Sequence, residues 1–173
     1  MGIFDWLFGK KNIENDNGIN IVYNESGITI KEFFKKNGNL DGLYKEFKPK
    51  WPGSKDNELV KQTNYKNRKI HGKYIEFHTH SSEYNQFVMK IECNYKEGEL
   101  HGSYKEFHPP HSGYVNQDIK IDCIYKNGKL HGSYREYNRI KNSTNLPLQK
   151  TQGVVIKEEM YENGILLDKG TGE

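Results

Sequence analysis

Tyr125-Lys126-Asn127-Gly128-Lys129-Leu130-His131-Gly132-Ser133-Tyr134-Arg135-Glu136-Tyr137 is the stretch that decides the fold. It recurs as Tyr95 to Phe107, as Tyr65 to Phe77, and more loosely as Phe34 to Phe47. Gly42, Gly72, Gly102 and Gly132 fall 30 residues apart, and Tyr44, Tyr74, Tyr104 and Tyr134 keep the same step. Glu46, Glu76, Glu106 and Glu136 hold the register, as do the aromatics Phe47, Phe77, Phe107 and Tyr137. A fixed period of this length signals a repeat architecture, in which each unit buries its apolar face only against its neighbours.

Asn127 and Gly128 both tolerate positive φ, as the two-residue turns that match strand twist require. With Lys126 opposite Lys129, plain alternation sets Tyr125 against Leu130, Cys123 against Gly132 and Ile121 against Tyr134. The units around Glu97-Gly98 and Asn67-Arg68 read the same way. One face is then mostly apolar and the other mostly polar. The strand glycine reads as a gap opposite Cys93 or Cys123 that admits a neighbouring tyrosine ring. The first unit carries one extra residue, which a five-residue loop from Lys35 to Asn39 would absorb, with Phe34 opposite Leu40. The last unit, Met160 to Leu166, has the turn but no full second strand, as expected of a terminal repeat.

The pattern Tyr-x-Asn-Gly-x-Leu-x-Gly-x-Tyr-x-x-Tyr resembles the MORN repeat, and more closely the bacterial variant grouped as the YwqK antitoxin family. Tyr125, Gly128, Leu130, Gly132, Tyr134 and Tyr137 carry the match, with their equivalents one and two periods earlier. It spans about Ile28 to Leu166. The resemblance implies an all-β fold, an elongated single antiparallel sheet of consecutive β-hairpins. It also implies binding to a partner protein, a toxin in the antitoxin case, or service as a membrane-associated scaffold. MORN repeats are shorter and richer in glycine, whereas here long loops separate the hairpins.

The 173 residues suit one repeat domain over 19–173, preceded by a capping segment and linker over 1–18. Hydrophobic residues make up only 34%, which fits a single sheet better than a two-layer core. Lys+Arg 26 against Asp+Glu 23 leaves +3, with cations scattered among acids, so a nucleic-acid partner is not expected. Ile3, Phe4, Leu7 and Phe8 have helical spacing, and Trp6 adds bulk. The stretch is too short to span a membrane and lacks a secretory signal's basic start. It reads as a cap on the sheet edge, or else as an interfacial membrane contact through residues 3–8. Cytoplasmic residence is the expectation from two cysteines that the sheet geometry keeps beyond bridging distance.

Loops Lys48 to Asn57, His78 to Phe87, His108 to Gln117 and Asn138 to Gly153 share one phase of the repeat, so all should leave one edge. Trp51, Tyr84, Phe87 and Tyr114 within them are the candidate partner-binding residues. The alternative is that these stretches merely lengthen the strands. His78, His80, His108 and His111 could in principle close a metal site, but no cysteine or acid accompanies them in ligand spacing. His71, His101 and His131 recur too far apart to share a metal. The Glu46, Glu76, Glu106 and Glu136 ladder, near Lys45, Lys105 and Arg135, reads as structural because a catalytic pair is needed once rather than in every repeat. No nucleophile motif, phosphate loop or cofactor fingerprint appears. The expectation is a non-enzyme with no cofactor and no small-molecule substrate.

Overall fold

The computed structural model describes residues 10–79, 88–110, 118–139 and 153–167. They form one open sheet of 11 antiparallel strands, each beside its neighbours in the chain. The strands are β1 (Gly18–Tyr23), β2 (Thr29–Lys36), β3 (Asn39–Pro49), β4 (Asn57–Lys66), β5 (Lys69–Phe77), β6 (Met89–Lys96), β7 (Glu99–Phe107), β8 (Ile119–Lys126), β9 (Lys129–Tyr137), β10 (Val155–Glu162) and β11 (Ile165–Leu166). Tight turns join β2–β3, β4–β5, β6–β7, β8–β9 and β10–β11 along one edge. The longer loops leave the opposite edge, as the common phase of the repeats requires.

All five tight turns have two residues with positive φ: Asn37-Gly38, Asn67-Arg68, Glu97-Gly98, Asn127-Gly128 and Asn163-Gly164. The first hairpin is therefore no exception. Lys36 pairs with Asn39 across a two-residue turn, not across a five-residue loop. There is no extra residue to absorb: Lys35, not Phe34, pairs with Leu40, and Phe33 pairs with Tyr44, the same register as Tyr65–Ile70 and Thr63–Tyr74 one unit later.

Plain alternation fails at the glycine. Tyr125 pairs with Leu130, but Cys123 pairs with Tyr134 and Ile121 with Glu136. His131, Gly132 and Ser133 thus stand against the single residue Ile124. This is a bulge, and the left-handed conformation of Gly132 (φ 94°) closes it. The register slips by two residues, an even number, so every side chain keeps its expected face. Gly132 lies across from Tyr161 of the next hairpin rather than from Cys123. The same slip occurs at β4–β5 and β6–β7. A second, one-residue bulge sits at the far end of each unit, where Lys90 and Lys120 are the extra residues.

The core is shallow. Thr63 lies between Tyr44 and Tyr74, Cys93 between Tyr74 and Tyr104, and Cys123 between Tyr104 and Tyr134. Each small side chain is at most 2% exposed beneath its flanking rings. The rings in turn meet the next hairpin's tyrosine, as in Tyr74–Tyr95 and Tyr104–Tyr125, both with centroids 5.7 Å apart. Such cross-strand aromatic pairs are worth roughly 0.5–1.5 kcal/mol beyond the area they bury.

The first edge of the sheet is covered by polar residues. Ile13 and Ile21 exchange two backbone hydrogen bonds of 2.9 Å. The Asn12 and Asn15 side chains bond the Tyr23 amide and the Ile19 carbonyl. The buried Asn20 side chain returns two bonds to the Asn15 backbone. The polar stretch after Lys10 is thus part of the cap, while the apolar residues 3–8 lie outside the described residues.

Candidate binding edge

The loop between β3 and β4 shows how this edge presents a side chain. Lys50 N donates to Asp56 O (3.1 Å) and Ser54 N to Trp51 O (3.0 Å), closing a compact turn. The buried Ser54 hydroxyl donates to Asp56 O and accepts from Asp56 N. Trp51, on the outside of this turn, is 55% exposed. A large ring held out of the core by a hydrogen-bonded loop is the typical make-up of an interface anchor. Tyr84, Phe87 and Tyr114, the other candidates for this edge, lie outside the described residues, as do His80 and His111.

The loop bases are tied to one another. The His78 amide donates to Val88 O and the His108 amide to Asp118 O. His78 Nε2 lies 3.3 Å from Phe107 O, and His108 Nε2 lies 3.1 Å from Tyr137 O, each one repeat away. A ring nitrogen facing a carbonyl must carry the proton, so these nitrogens are donors and not metal ligands in this arrangement. Burial holds His78 below the ordinary imidazole range. No cluster of three potential ligands occurs among the described residues. Arg139 continues the series, donating from Nη2 to Pro109 O at 2.6 Å, with Nε 4.0 Å from the fully buried Asp118 carboxylate.

The glutamate ladder belongs to the tyrosine face. Tyr44, Tyr74 and Tyr134 donate their hydroxyls to Glu46, Glu76 and Glu136. Lys61, Lys90 and Lys120 reach Glu46, Glu76 and Glu106, the last two at 2.6 Å. The cations expected beside the ladder lie on the other face: Lys45 meets Glu32, Lys105 stands between Glu92 and Asp122, and Arg135 meets Glu158. Burial alone would raise Glu46, but the Tyr44 hydroxyl and Lys61 together hold it below the usual carboxylate range. Burial and the Glu46 carboxylate push Tyr44 well above the phenol range. Burial and Glu106 take Tyr104 to about 12. Burial lifts the Cys93 and Cys123 thiols to about 12. Carboxylates locked into every repeat by a phenol or an ammonium serve the sheet itself.

The repeating histidines have a role that sequence reasoning missed. His71, His101 and His131 place Nδ1 3.4 Å from the amides of Glu97, Asn127 and Asn163 in the next turn. Asp41 does the same for Asn67, and Asn17 for Asn37. Beside each runs a backbone bond from turn to turn, such as Gly128 N to Leu100 O at 2.9 Å. The turns are therefore stacked into a continuous hydrogen-bonded column. A recurring side-chain acceptor three residues after the turn glycine was the available signal.

No family model, curated protein or solved structure matches this chain.

Proposed function

We propose that this chain is a non-catalytic protein-binding repeat protein that grips a partner along its loop edge, in the manner of an antitoxin or immunity protein that neutralises a toxin. The observation that carries the reading is Trp51. It is the most water-exposed aromatic among the described residues and stands on a closed, hydrogen-bonded loop at the edge from which all the long loops leave. The MORN-type resemblance supports the reading. So does the tyrosine face, where Glu46, Glu76, Glu106 and Glu136 are each held by a phenol or an ammonium. The sheet acts as a rigid frame, and the dissimilar loops supply specificity.

The test is affinity capture with the intact chain, followed by the triple change Trp51→Ala, Tyr84→Ala and Tyr114→Ala. The reading predicts one stoichiometric protein partner and a loss of affinity on the order of 30-fold or more with the fold retained. Undiminished binding by the triple variant would remove the loop edge from the reading. Capture of anionic vesicles instead of a protein, lost on deleting residues 1–11, would favour the membrane-associated scaffold.

A further inference from the structure

The tight-turn edge departs from its own rule in two adjacent places. Four of the five turns carry glycine at the second position, but β4–β5 carries Arg68, with φ 68°. Four carry asparagine at the first position, but β6–β7 carries Glu97, with φ 54°. A long side chain in the left-handed region is disfavoured and persists only where its surroundings hold it there. They do so here: Arg68 N donates to Leu40 O at 2.9 Å, and Asn67 N to the Asp41 carboxylate at 3.3 Å.

Cations gather around Arg68. Lys66 pairs directly with Lys69 across the same turn, an unfavourable like-charge opposition. Lys36 stands on the preceding turn. Lys36, Lys66, Arg68 and Lys69 are all exposed, and among the described residues none is in an ion pair. A cleft of about 220 Å³ is lined by Lys66, Asn67, Lys69, His71 and Glu97, so the sequence neighbours of Arg68 on its own turn form one wall. The Lys69 stem lies against Gly98, so the next turn forms its far wall. His71 accepts the Glu97 amide through Nδ1, which leaves its Nε2 as a donor. The acids nearby are Asp16 and Asp41 on the side of the first turn, and Glu97 and Glu99 on the other.

We infer that this cleft and the Arg68 turn form a second interaction surface, which takes a short acidic segment of a partner protein. Its chemistry is that of carboxylate recognition. Arg68 offers a planar, two-pronged donor, Lys66 and Lys69 offer flanking ammonium groups, and His71 offers an N–H at the cleft wall. A long polyanion such as nucleic acid is disfavoured because Glu97 and Glu99 on the β6–β7 turn interrupt the row of cations along this edge. The surface lies on the edge opposite Trp51, so it is separate from the loop-edge binding proposed above. The two can fail independently.

The probe is a fluorescein-labelled oligoglutamate peptide, followed by anisotropy at low ionic strength with the intact chain. Arg68→Gly should bind roughly fivefold to tenfold more weakly, as expected for loss of a charge-assisted contact. The same change should raise the thermal midpoint, because it installs the residue that the sister turns use. Glu97→Gln should bind more tightly. Reversing Lys126 and Lys129, the matched pair at the β8–β9 turn, should leave binding unchanged, as should the triple loop-edge variant. Unaltered binding by Arg68→Gly would overturn the inference, as would a lowered midpoint. Equal loss from the Lys126 and Lys129 reversal would reduce the effect to net charge. Tighter binding of a single-stranded oligonucleotide than of the peptide would likewise overturn it.

Discussion

Cys123 stands directly across from Tyr134, two residues beyond the glycine that unbroken alternation would set against it. On its other side it meets Tyr104. The pairing explains why the residue is small and why the face is aromatic. Two rings close over one short side chain, and the next unit repeats the arrangement at Cys93. Among the described residues no second layer covers the sheet, and these small side chains belong to its most buried, so the integrity of the roof is the first property to measure.

Both thiols should be inert in the folded protein. Cys93 and Cys123 are 1% and 2% exposed, and burial takes their pKa to about 12, so little thiolate exists at neutral pH. Alkylation under native conditions, read by mass spectrometry, should label neither residue until denaturant unfolds the sheet. Labelling at the rate of a free cysteine would mean that the tyrosine roof is open.

The Tyr74–Glu76 hydrogen bond should contribute measurable coupling. A double-mutant cycle with Tyr74→Phe and Glu76→Gln, read by chemical denaturation, should give about 1 kcal/mol. The bond is half-buried, whereas the Lys90–Glu76 ion pair is more exposed and should add less. Zero coupling would leave the ladder as a set of solvated neighbours.

Alkali should unfold the sheet. Burial raises Tyr44, Tyr74, Tyr95, Tyr104, Tyr125 and Tyr134 above the ordinary phenol value. A group whose folded pKa is raised releases its proton more readily when unfolded. Its stabilisation is therefore complete below pH of about 10 and declines as the pH rises beyond that. Phenolate absorbance should appear together with loss of the β-sheet signal. Ordinary titration near pH 10 with the sheet intact would contradict the burial.

Much of the fold was legible because the repeat displays its own period. Tyr-x-Asn-Gly-x-Leu places each turn, and the even two-residue slip kept Tyr134, Glu136 and Cys123 on the expected face even though their partners were wrong. The slip itself was hidden, because a glycine in a strand is equally consistent with a gap or a left-handed bulge. At Phe34 the cue misled, because Lys35, not an aromatic, holds the position that Tyr65 takes one unit later, and Phe34 beside it looks like the match. Trp51 was recognisable as a loop aromatic. The histidine column was not, because its partners are backbone amides of a turn about 26 residues away. Arg68 and Glu97 were visible as breaks in the Asn-Gly rule, but their shared cleft required the stacking of the turns.

The register of each hairpin depends on the left-handed glycine that resets it, and Gly72→Ala tests that dependence directly. Gly72 has φ 82°, and a Cβ placed there would meet nothing within 4 Å, so the substitution probes the backbone alone. Denaturant unfolding should show a loss of about 1–2 kcal/mol, the cost of a left-handed non-glycine residue. In a regular strand alanine should instead gain about 0.5–1 kcal/mol over glycine. A neutral or stabilised Gly72→Ala variant would contradict the bulge and the tyrosine–cysteine register built on it.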